Sequence, residues 1–251
     1  LIEPFVGNGW AGGRTDFNAD DMLRIGFFVG DGTFHKAGGA YVGIGNKDDD
    51  VAPLFDGYAR HNIDRRNTYI SKNSNLYNEF VRIGADSAHL PERVLPSQVW
   101  GLSVELVCAF LRGLYSANGN VMPKHRRVVL KATSLRLVRE TQMLLLALGI
   151  RSYIVTNKPY VVEWVNGTYT SKQSYALSIA DWNSYQEFGE RIGFIQKYKQ
   201  EAYNAAESPA YTFTRPFKVV AIEPVGQADV YDFSVSNDSH SGWANGFLVH
   251  N

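Results

Sequence analysis

The sequence predicts an α+β fold made of two similar repeats and a separate β-rich tail. Two apolar, helix-forming runs, residues 24–32 and 111–119, carry small residues at matching positions and end in Asp-Gly or Asn-Gly. Strand-like and helical segments follow each run in the same order, and such internal repetition indicates a duplicated unit. From Thr214 onward the pattern changes to short β-like pieces, which predict a different domain.

Composition restricts the range of functions. The chain has 251 residues, enough for one large domain or two modest ones. Its 25 basic and 25 acidic residues cancel, which argues mildly against a dedicated nucleic-acid binder, although one face can still be basic. No apolar run of about twenty residues is present, so we expect no membrane span and no membrane partner. The single Cys108 cannot form an internal disulfide and predicts a reducing, cytoplasmic location.

Small residues one helical turn apart indicate that the two runs form a helix pair. Gly26 and Gly30 in the first run match Gly113 and Ala117 in the second. Because these positions carry no branched side chain, two helix backbones can approach closely there. We expect the helices to pack against each other, and the glycine after each run to take the left-handed conformation that ends a helix.

If the helices pack in this way, Asp31 and Asn118 lie side by side at their C-terminal ends. A carboxylate at that place faces the negative end of the helix macrodipole and needs a nearby cation. A divalent metal is the simplest such cation, so both residues are predicted metal ligands. An ordinary pair of buried helices is the alternative interpretation of either run alone.

The remaining elements of the first repeat follow its motif helix. Residues 1–15 predict a loop or linker, and residues 16–21 supply capping side chains for the helix. Residues 33–44 are strand-like, and the acidic residues 48–50 predict a solvated turn rather than a metal site. A polar, strand-like stretch then precedes a helix end at residues 78–84. That stretch carries the basic residues Arg60, Arg65, Arg66 and Lys72.

The second repeat follows the same plan and is longer. Residues 102–118 predict its motif helix, and residues 135–149 predict an amphipathic helix. A hairpin through residues 153–167 accounts for the extra length. Residues 187–193 repeat the Glu-Phe and Arg-Ile-Gly words of residues 79–84. The strand-like segment after the motif helix carries a second basic cluster, Lys124, Arg126, Arg127 and Lys131.

The paired runs with their Asp-Gly and Asn-Gly ends resemble the LAGLIDADG homing endonucleases in their two-motif, single-chain form. The resemblance covers roughly residues 16–207, as repeats of about 16–90 and 98–207. It implies two αββαββα repeats, joined at the motif helices into a DNA-binding saddle with pseudo-twofold symmetry. In that family the acidic residue before the last Gly of each motif binds the catalytic metal. Asp31 matches that position, and Asn118 departs from it.

This resemblance implies a double-stranded DNA target and hydrolysis of phosphodiester bonds. Such a surface needs cations at phosphates and polar side chains at base edges, and the two basic clusters stand at equivalent places in the repeats. Hydrolysis needs a metal, for which Mg²⁺ fits oxygen ligands best, and a cation that holds the scissile phosphate. Arg93 stands where the family commonly has a lysine, and Lys131 is a weaker candidate for a comparable part.

Asn118 lowers the expected nuclease activity. Its neutral amide oxygen adds no negative charge to attract a second cation, so we expect nicking of one strand or no cleavage. A DNA-binding structural insert without cleavage is the alternative, and metal-dependent nicking separates the two. A free-standing, maturase-like RNA-binding protein of the same fold is disfavoured by the ending His250-Asn251.

The tail, residues 208–251, resembles the C-terminal splicing segment of inteins and implies β strands of a Hint-type domain. An asparagine can attack its own main-chain carbonyl, close a succinimide and break the following peptide bond, with help from nearby imidazoles. By this resemblance His250 assists the cyclisation of Asn251, while His240 and Asp232 serve the preceding acyl-transfer steps. No cofactor is needed for splicing.

Two features of splicing inteins are missing from this sequence. Leu1 stands where a Cys or Ser nucleophile is expected, and no Thr-x-x-His pattern precedes the first motif. We therefore expect residues 1–15 to be a linker or a remnant of the N-terminal splicing region. The predicted partners are a separate N-terminal intein fragment, the flanking segments of a host protein and a double-stranded DNA target.

Overall fold

The computed structural model describes twelve stretches of the chain. These are residues 13–35, 39–45, 47–58, 60–64, 67–70, 74–85, 89–164, 167–210, 221–230, 234, 241–244 and 247–250. In the strands at residues 60–64, 67–70, 241–244 and 247–250 it describes the main chain alone.

Helix α1 spans Ala19–Asp31 and is the first of the two motif helices. Asn18 caps its N-terminus, since the side-chain oxygen accepts a hydrogen bond from the Asp21 N–H at 2.8 Å. The Asp21 carboxylate in turn accepts from the main-chain N–H of Asn18. This reciprocal capping box satisfies two backbone donors at the helix start, and it confirms the capping expected within residues 16–21.

The first repeat continues with two antiparallel hairpins and a closing helix. Its elements after α1 are β1 (Gly32–His35), β2 (Gly39–Gly45), a 3₁₀ helix (Asp49–Phe55), β3 (Arg60–Asp64), β4 (Asn67–Ile70) and α2 (Ser74–Ile83). The strands form one sheet in the order β1-β2-β4-β3. Residues 33–44 thus form parts of two strands rather than one. The 3₁₀ helix takes the place of the expected middle helix and contains Pro53, which has no N–H to donate.

The second repeat has the same sheet topology. Its elements are α3 (Val104–Asn118), β5 (Gly119–Met122), a 3₁₀ turn (Pro123–His125), β6 (Arg127–Ala132), α4 (Leu135–Ala147), β7 (Tyr153–Asn157), β8 (Val161–Trp164), β9 (Gly167–Thr170), β10 (Ser174–Ile179) and α5 (Trp182–Arg191). The sheet order β5-β6-β10-β7 repeats the first sheet position by position, and β8 and β9 pair as an added hairpin. The predicted duplicated α+β fold is confirmed. An added hairpin is present, but the prediction that it begins at residue 153 is wrong, because β7 pairs with β10 in the main sheet and the hairpin strands are β8 and β9.

Short helices connect and follow the repeats, and a hairpin lies in the tail. They are 3₁₀ turns at Leu90–Glu92 and Ser97–Gly101, α6 (Lys197–Asn204), β11 (Ser241–Ala244) and β12 (Phe247–His250). Strands β11 and β12 pair antiparallel. Within the described stretches, the helices are all too short or too polar to cross a bilayer.

The backbones of α1 and α3 touch at their glycines. A Cβ added at Gly26 would lie 2.0 Å from the carbonyl oxygen of Phe110, and one at Gly113 would lie 2.1 Å from that of Leu23. One turn later, a Cβ at Gly30 would lie 2.4 Å from the Cβ of Ala117. No side chain larger than hydrogen fits at these three positions without separating the helices. The predicted close helix pair is confirmed.

The glycines that follow the two helices do not take the predicted left-handed conformation. Gly32 has φ −78° and Gly119 has φ −84°, both in the extended region. Lack of space requires glycine there instead. A Cβ at Gly32 would lie 2.1 Å from the Phe28 ring, and one at Gly119 would lie 2.2 Å from the carbonyl oxygen of Tyr115. Each chain therefore passes straight from a helix into the first strand of its sheet.

Aromatic pairs repeat the symmetry inside the core. Phe28 stacks on Phe80 of α2 with ring centroids 3.8 Å apart, and Tyr115 meets Phe188 of α5 edge-on at 4.9 Å. Both pairs join a motif helix, three residues before its end, to the last helix of the same repeat. The repeated Glu-Phe and Arg-Ile-Gly words therefore mark equivalent core positions, at which the apolar residues are fully buried.

We expect Gly26→Ala to lower the free energy of unfolding by at least about 1–3 kcal/mol, because the added methyl overlaps a carbonyl oxygen of the facing helix. Denaturant titration followed by circular dichroism measures the change. Gly13→Ala is the matched control, since a Cβ at Gly13 meets nothing within 4 Å. Equal stability of the two variants would show that α1 and α3 do not pack through their backbones.

Candidate functional site

The C-terminal ends of α1 and α3 lie side by side. Asp31 and Asn118 are the last residues of these helices. The Asn118 side-chain amide donates from Nδ2 to the carbonyl oxygen of Gly30 at 3.2 Å, and so crosses from one helix end to the other. This hydrogen bond fixes the orientation of the amide and turns Oδ1 away from the Gly30 carbonyl.

Arg93 neutralises the end of α1. Its guanidinium donates to the carbonyl oxygens of Val29 at 2.8 Å and Gly32 at 2.9 Å, and the side chain is only 6% exposed. A cation at the negative end of a helix dipole stabilises that end. The geometry thereby corrects the predicted role of Arg93, because a buried guanidinium engaged by the main chain is not placed to hold a phosphate.

Lys199 has the matching position at the end of α3. Its Nζ donates to the carbonyl oxygen of Ser116 at 2.6 Å, and Nε2 of the fully buried Gln196 donates to the same oxygen at 2.8 Å. The Ile195 N–H donates to Oγ of Ser116 at 2.9 Å, which fixes the chain as it enters α6. Each motif helix thus ends on a cation from the segment that follows its own repeat, Arg93 after α2 and Lys199 after α5.

The acidic loop before the first 3₁₀ helix is tied to α6. Oδ1 of Asp48 accepts from Nε2 of Gln196 at 2.8 Å and from the Tyr198 hydroxyl at 3.2 Å. Asp50 accepts from the main-chain N–H of Lys197 at 2.8 Å. The predicted solvated turn is therefore wrong for Asp48 and Asp50, because α6 supplies donors to both. These bonds join the first repeat to the segment that follows the second.

Asp31, Asp48 and Lys199 form a charged group around the helix ends. Desolvation by the surrounding chain raises the pKa of Asp31 above its ordinary value; the positive charges of Lys199 and Arg93 oppose this shift, and Asp48 adds to it. Desolvation also lowers the pKa of Lys199, against the pull of the two carboxylates. Asp31 is nevertheless exposed to solvent, which screens these charges, and a bound cation would further favour its ionised form.

The oxygen atoms at the helix ends suit a divalent cation with few protein ligands. Within the described stretches, the Asp31 carboxylate has no hydrogen-bond or ion-pair partner. The same stretches contain no group of three or more His, Cys, Asp and Glu side chains placed to hold a metal. One carboxylate and the Asn118 amide oxygen fit Mg²⁺, which keeps several waters and takes further ligands from substrate phosphates. Asp31 and Asn118 stay the predicted ligands.

The second basic cluster lies along β6 and in the loop before it. Val128 and Leu130 of β6 are buried, so the alternate residues Arg127 and Lys131 lie on the opposite face of the sheet. Lys131 is exposed and Arg127 is partly buried. The loop carries the other two basic residues, Lys124 and Arg126.

Other predicted site residues fall outside the described residues or their described side chains. Arg60 begins β3, where the main chain alone is described, and His250 ends β12 opposite Ser241. The residues that lie wholly outside are Arg65, Arg66, Lys72, Asp232, His240 and Asn251. Their predicted roles stay predictions.

Comparison with known proteins finds a family match within the second repeat. Residues 105–193, from the start of α3 past the end of α5, are similar to the family described as "LAGLIDADG-like domain". The matched range contains the second motif helix, its sheet and Asn118, and the first repeat shares the same strand order.

Curated relatives match this chain over short parts of their own length. A DNA polymerase of Thermococcus litoralis is 32% identical over 170 residues, which cover 63% of this chain and 10% of the polymerase. The glutamine–fructose-6-phosphate aminotransferase (isomerizing) of Methanocaldococcus jannaschii is 31% identical over 110 residues, 44% of this chain and 9% of that enzyme. The chain thus spans about a tenth of the length of these relatives.

Among solved structures, I-DmoI in complex with DNA and Ca has a TM-score of 0.49 and 18% sequence identity. The similarity covers 74% of this chain and 97% of that chain.

Lys199, Gln196 and Asp48 are the site residues that sequence reasoning missed. The sequence did contain a positional signal for Lys199. Lys199 follows the second Arg-Ile-Gly word by a few residues, much as Arg93 follows the first. The sequence does not show that the segments carrying Arg93 and Lys199 pack against the ends of the motif helices. This contact is visible only in the tertiary structure.

We expect Asp31→Asn to raise the free energy of unfolding at pH 7. The folded-state pKa of Asp31 is raised, so its ionised form destabilises the fold above that pKa, and the penalty disappears as pH falls through it. The advantage of the variant should therefore shrink with falling pH in denaturant titrations. Asp49→Asn, at an exposed carboxylate of the neighbouring loop, is the control. A variant that is less stable at pH 7 would contradict the electrostatic account.

Proposed function

We propose that the LAGLIDADG-like domain of this chain is a metal-dependent, site-specific endonuclease for double-stranded DNA, with cleavage weakened by Asn118. One observation carries the proposal. The backbone contact of α1 and α3 brings the helix-end residues Asp31 and Asn118 together, and the charge of Lys199 acts on Asp31, whose carboxylate has no hydrogen-bond or ion-pair partner among the described residues. Phosphodiester hydrolysis needs these parts, a carboxylate to hold a divalent cation and a cationic side chain near the phosphate.

Each residue has a part in hydrolysis, in which water adds to phosphorus and the bond to one sugar oxygen breaks. Asp31 and Oδ1 of Asn118 would hold a divalent cation such as Mg²⁺, which supplies charge stabilisation at the phosphate and a more acidic bound water. Lys199 is anchored on the Ser116 carbonyl, so its charge is fixed in place before the substrate arrives. Fixed positive charge lowers the energy of the more negative transition state.

The asymmetry of the site accounts for the weakened activity. The end of α1 offers a carboxylate, and the end of α3 offers a neutral amide that is partly engaged with Gly30. At the first repeat the cation is the buried Arg93, whose guanidinium is hydrogen-bonded to two main-chain carbonyl oxygens. At the second it is Lys199, which is partly open. We infer that one strand of the duplex is cut more readily than the other, or that only nicks form.

The relatives support an inserted, mobile element rather than a domain of one enzyme. By their names, a DNA polymerase and an aminotransferase have unrelated activities, yet this chain matches about a tenth of each. A shared segment in unrelated hosts is the arrangement expected of an intein that carries a homing endonuclease. The tail supports the same interpretation, since β11 and β12 pair antiparallel and β12 ends at His250, next to Asn251.

We therefore also propose that residues 208–251 are the C-terminal splicing segment of an intein and act with an N-terminal partner fragment. In the closing step the Asn251 side-chain nitrogen attacks its own carbonyl carbon, the succinimide ring closes, and the following peptide bond breaks. His250 supplies a proton to the leaving amine. His240 and Asp232 serve the earlier acyl transfers, and the host segments are joined by a new peptide bond.

Asn118→Asp should increase Mg²⁺-dependent cleavage by at least about tenfold, because a second carboxylate strengthens the charge stabilisation at the phosphate. The assay follows nicked and linear forms of a plasmid that carries a duplex selected for tight binding. Chelation of the metal should abolish both products. Equal, complete double-strand cleavage by the wild-type protein would contradict the weakened nuclease.

In the Asn118→Asp background, Lys199→Met should lower the cleavage rate by about 10²–10³-fold, as expected for the loss of a preorganised charge. Lys197→Met is the matched control, since this exposed lysine belongs to the same helix. If the wild-type protein and the Asn118→Asp variant both bind the duplex and neither cleaves it, the alternative of a DNA-binding structural insert holds.

Splicing is tested by extending Asn251 with a short Ser-led peptide and mixing the chain with tagged N-terminal intein halves. Mass spectrometry should detect a ligated product that is lost in Asn251→Ala. Release of the peptide without ligation would show that Asn251 cyclises while acyl transfer fails. With several folded partners, no reaction of either kind would contradict the splicing proposal and leave the nuclease proposal untouched.

A further inference from the structure

The outer face of the second-repeat sheet is a row of paired side chains. Strand β10 pairs with β6 on one side and with β7 on the other, so Val129, Ser178 and Tyr153 lie abreast on one face. Arg127 lies on the same face, two residues before Val129 on β6. Tyr153 is 42% exposed, whereas Ser178 on the central strand is buried, so a ligand reaches this face through the side chains of the flanking strands β6 and β7.

Arg127 is held against Tyr153 and has unused donors. The centre of its guanidinium lies 5.8 Å from the centroid of the Tyr153 ring, within the range of a cation–π contact. Its Nε is buried without a hydrogen-bond partner. In the part of the chain that the structure describes, the terminal nitrogens of Arg127 also make no hydrogen bond. An arginine that a cation–π contact orients, and whose N–H donors have no partner among the described residues, is preorganised to bind a pair of hydrogen-bond acceptors.

The loop before Arg127 is held in a costly conformation that sets its position. Arg126 has φ 48° and ψ 52°, and it is the one described non-glycine residue with a positive φ. Its N–H donates to the carbonyl oxygen of Pro123 at 2.9 Å, which closes the turn. The turn places Arg127 opposite Met122 at the start of β6. Such backbone strain persists where the surrounding structure requires it, often at functional positions.

We propose that Arg127 reads one guanine of the DNA target and that Tyr153 is its positioning residue. This inference rests on the proposed DNA-binding function. The planar fork of a guanidinium matches the O6 and N7 acceptors of guanine in the major groove, a pattern that no other base presents there. Lys131 is exposed on the same face and makes no cation–π contact with an aromatic ring among the described residues. Its direction is therefore not fixed, and we expect it to contact phosphate without sequence preference.

The test begins with selection of tight-binding duplexes from a randomised library by the wild-type protein. Binding constants are then measured for the selected duplex and for single-base-pair replacements of each guanine. The wild type should prefer guanine at one position by about 5- to 150-fold over other bases. Arg127→Met, which has no donor for the guanine acceptors, should lose that preference at this position alone. Tyr153→Leu should reduce it, and Tyr153→Phe should keep it, because phenylalanine retains the ring face.

Lys131→Gln separates base reading from phosphate binding. It should weaken binding to all duplexes alike and reduce the salt dependence of affinity, with the guanine preference intact. If Arg127→Met behaves like Lys131→Gln and keeps the full guanine preference, the assignment of Arg127 is overturned while DNA binding stands. If the folded wild type selects no duplex, the proposed DNA-binding function itself falls. Circular dichroism confirms the fold of each variant.

Discussion

The contact between the backbones of α1 and α3 is the constraint on which the rest of the structure depends. Gly26 and Gly113 each face a carbonyl oxygen of the other helix at a distance that admits only hydrogen. This approach brings Asn118, the last residue of α3, within hydrogen-bonding distance of the Gly30 carbonyl in α1. It also fixes where the two sheets begin, because Gly32 and Gly119 lead directly from the helices into β1 and β5.

Bringing two helix ends together concentrates unsatisfied carbonyl groups and negative dipole charge at one place. Side chains from distant segments of the chain compensate for this charge. The Arg93 guanidinium donates to the end of α1. The Lys199 ammonium and the Gln196 amide donate to the end of α3. Asp31 alone adds negative charge at this place without a partner among the described residues. Such a residue lowers stability, and a binding or catalytic role is the usual reason for its presence.

The two repeats share several scaffold features and differ at the helix-end site. Sheet order, the aromatic pairs and the cation at each helix end are duplicated. The helix-end residues differ, since one repeat has Asp31 and the other has Asn118. Packing constrains the scaffold residues, whereas Asp31 is exposed and Asn118 is only partly buried, so a change at either helix end costs less stability. Loss of a carboxylate at Asn118 is therefore compatible with an intact fold and a weakened centre.

Local chemistry explains what sequence reasoning could predict. The small residues at Gly26 and Gly113 predict a close helix pair. Capping preferences predict the Asn18 cap, and the 3.6-residue period of apolar residues predicts the buried face of α4. The contacts of Lys199 and Asp48 could not be predicted, because each depends on α6 returning to the helix ends. The conformation of Gly32 was predicted wrongly because its glycine is required by the Phe28 ring, a packing effect that no turn pattern reveals.

Anomalous diffraction at the manganese edge would test the central claim most directly, with crystals of the protein bound to a selected duplex and soaked in Mn²⁺. The account predicts an anomalous peak within coordination distance of an Asp31 carboxylate oxygen and Oδ1 of Asn118, next to a phosphate of the DNA. A peak confined to the Asp48–Asp50 loop, or no protein-bound peak in a well-ordered complex, would contradict it.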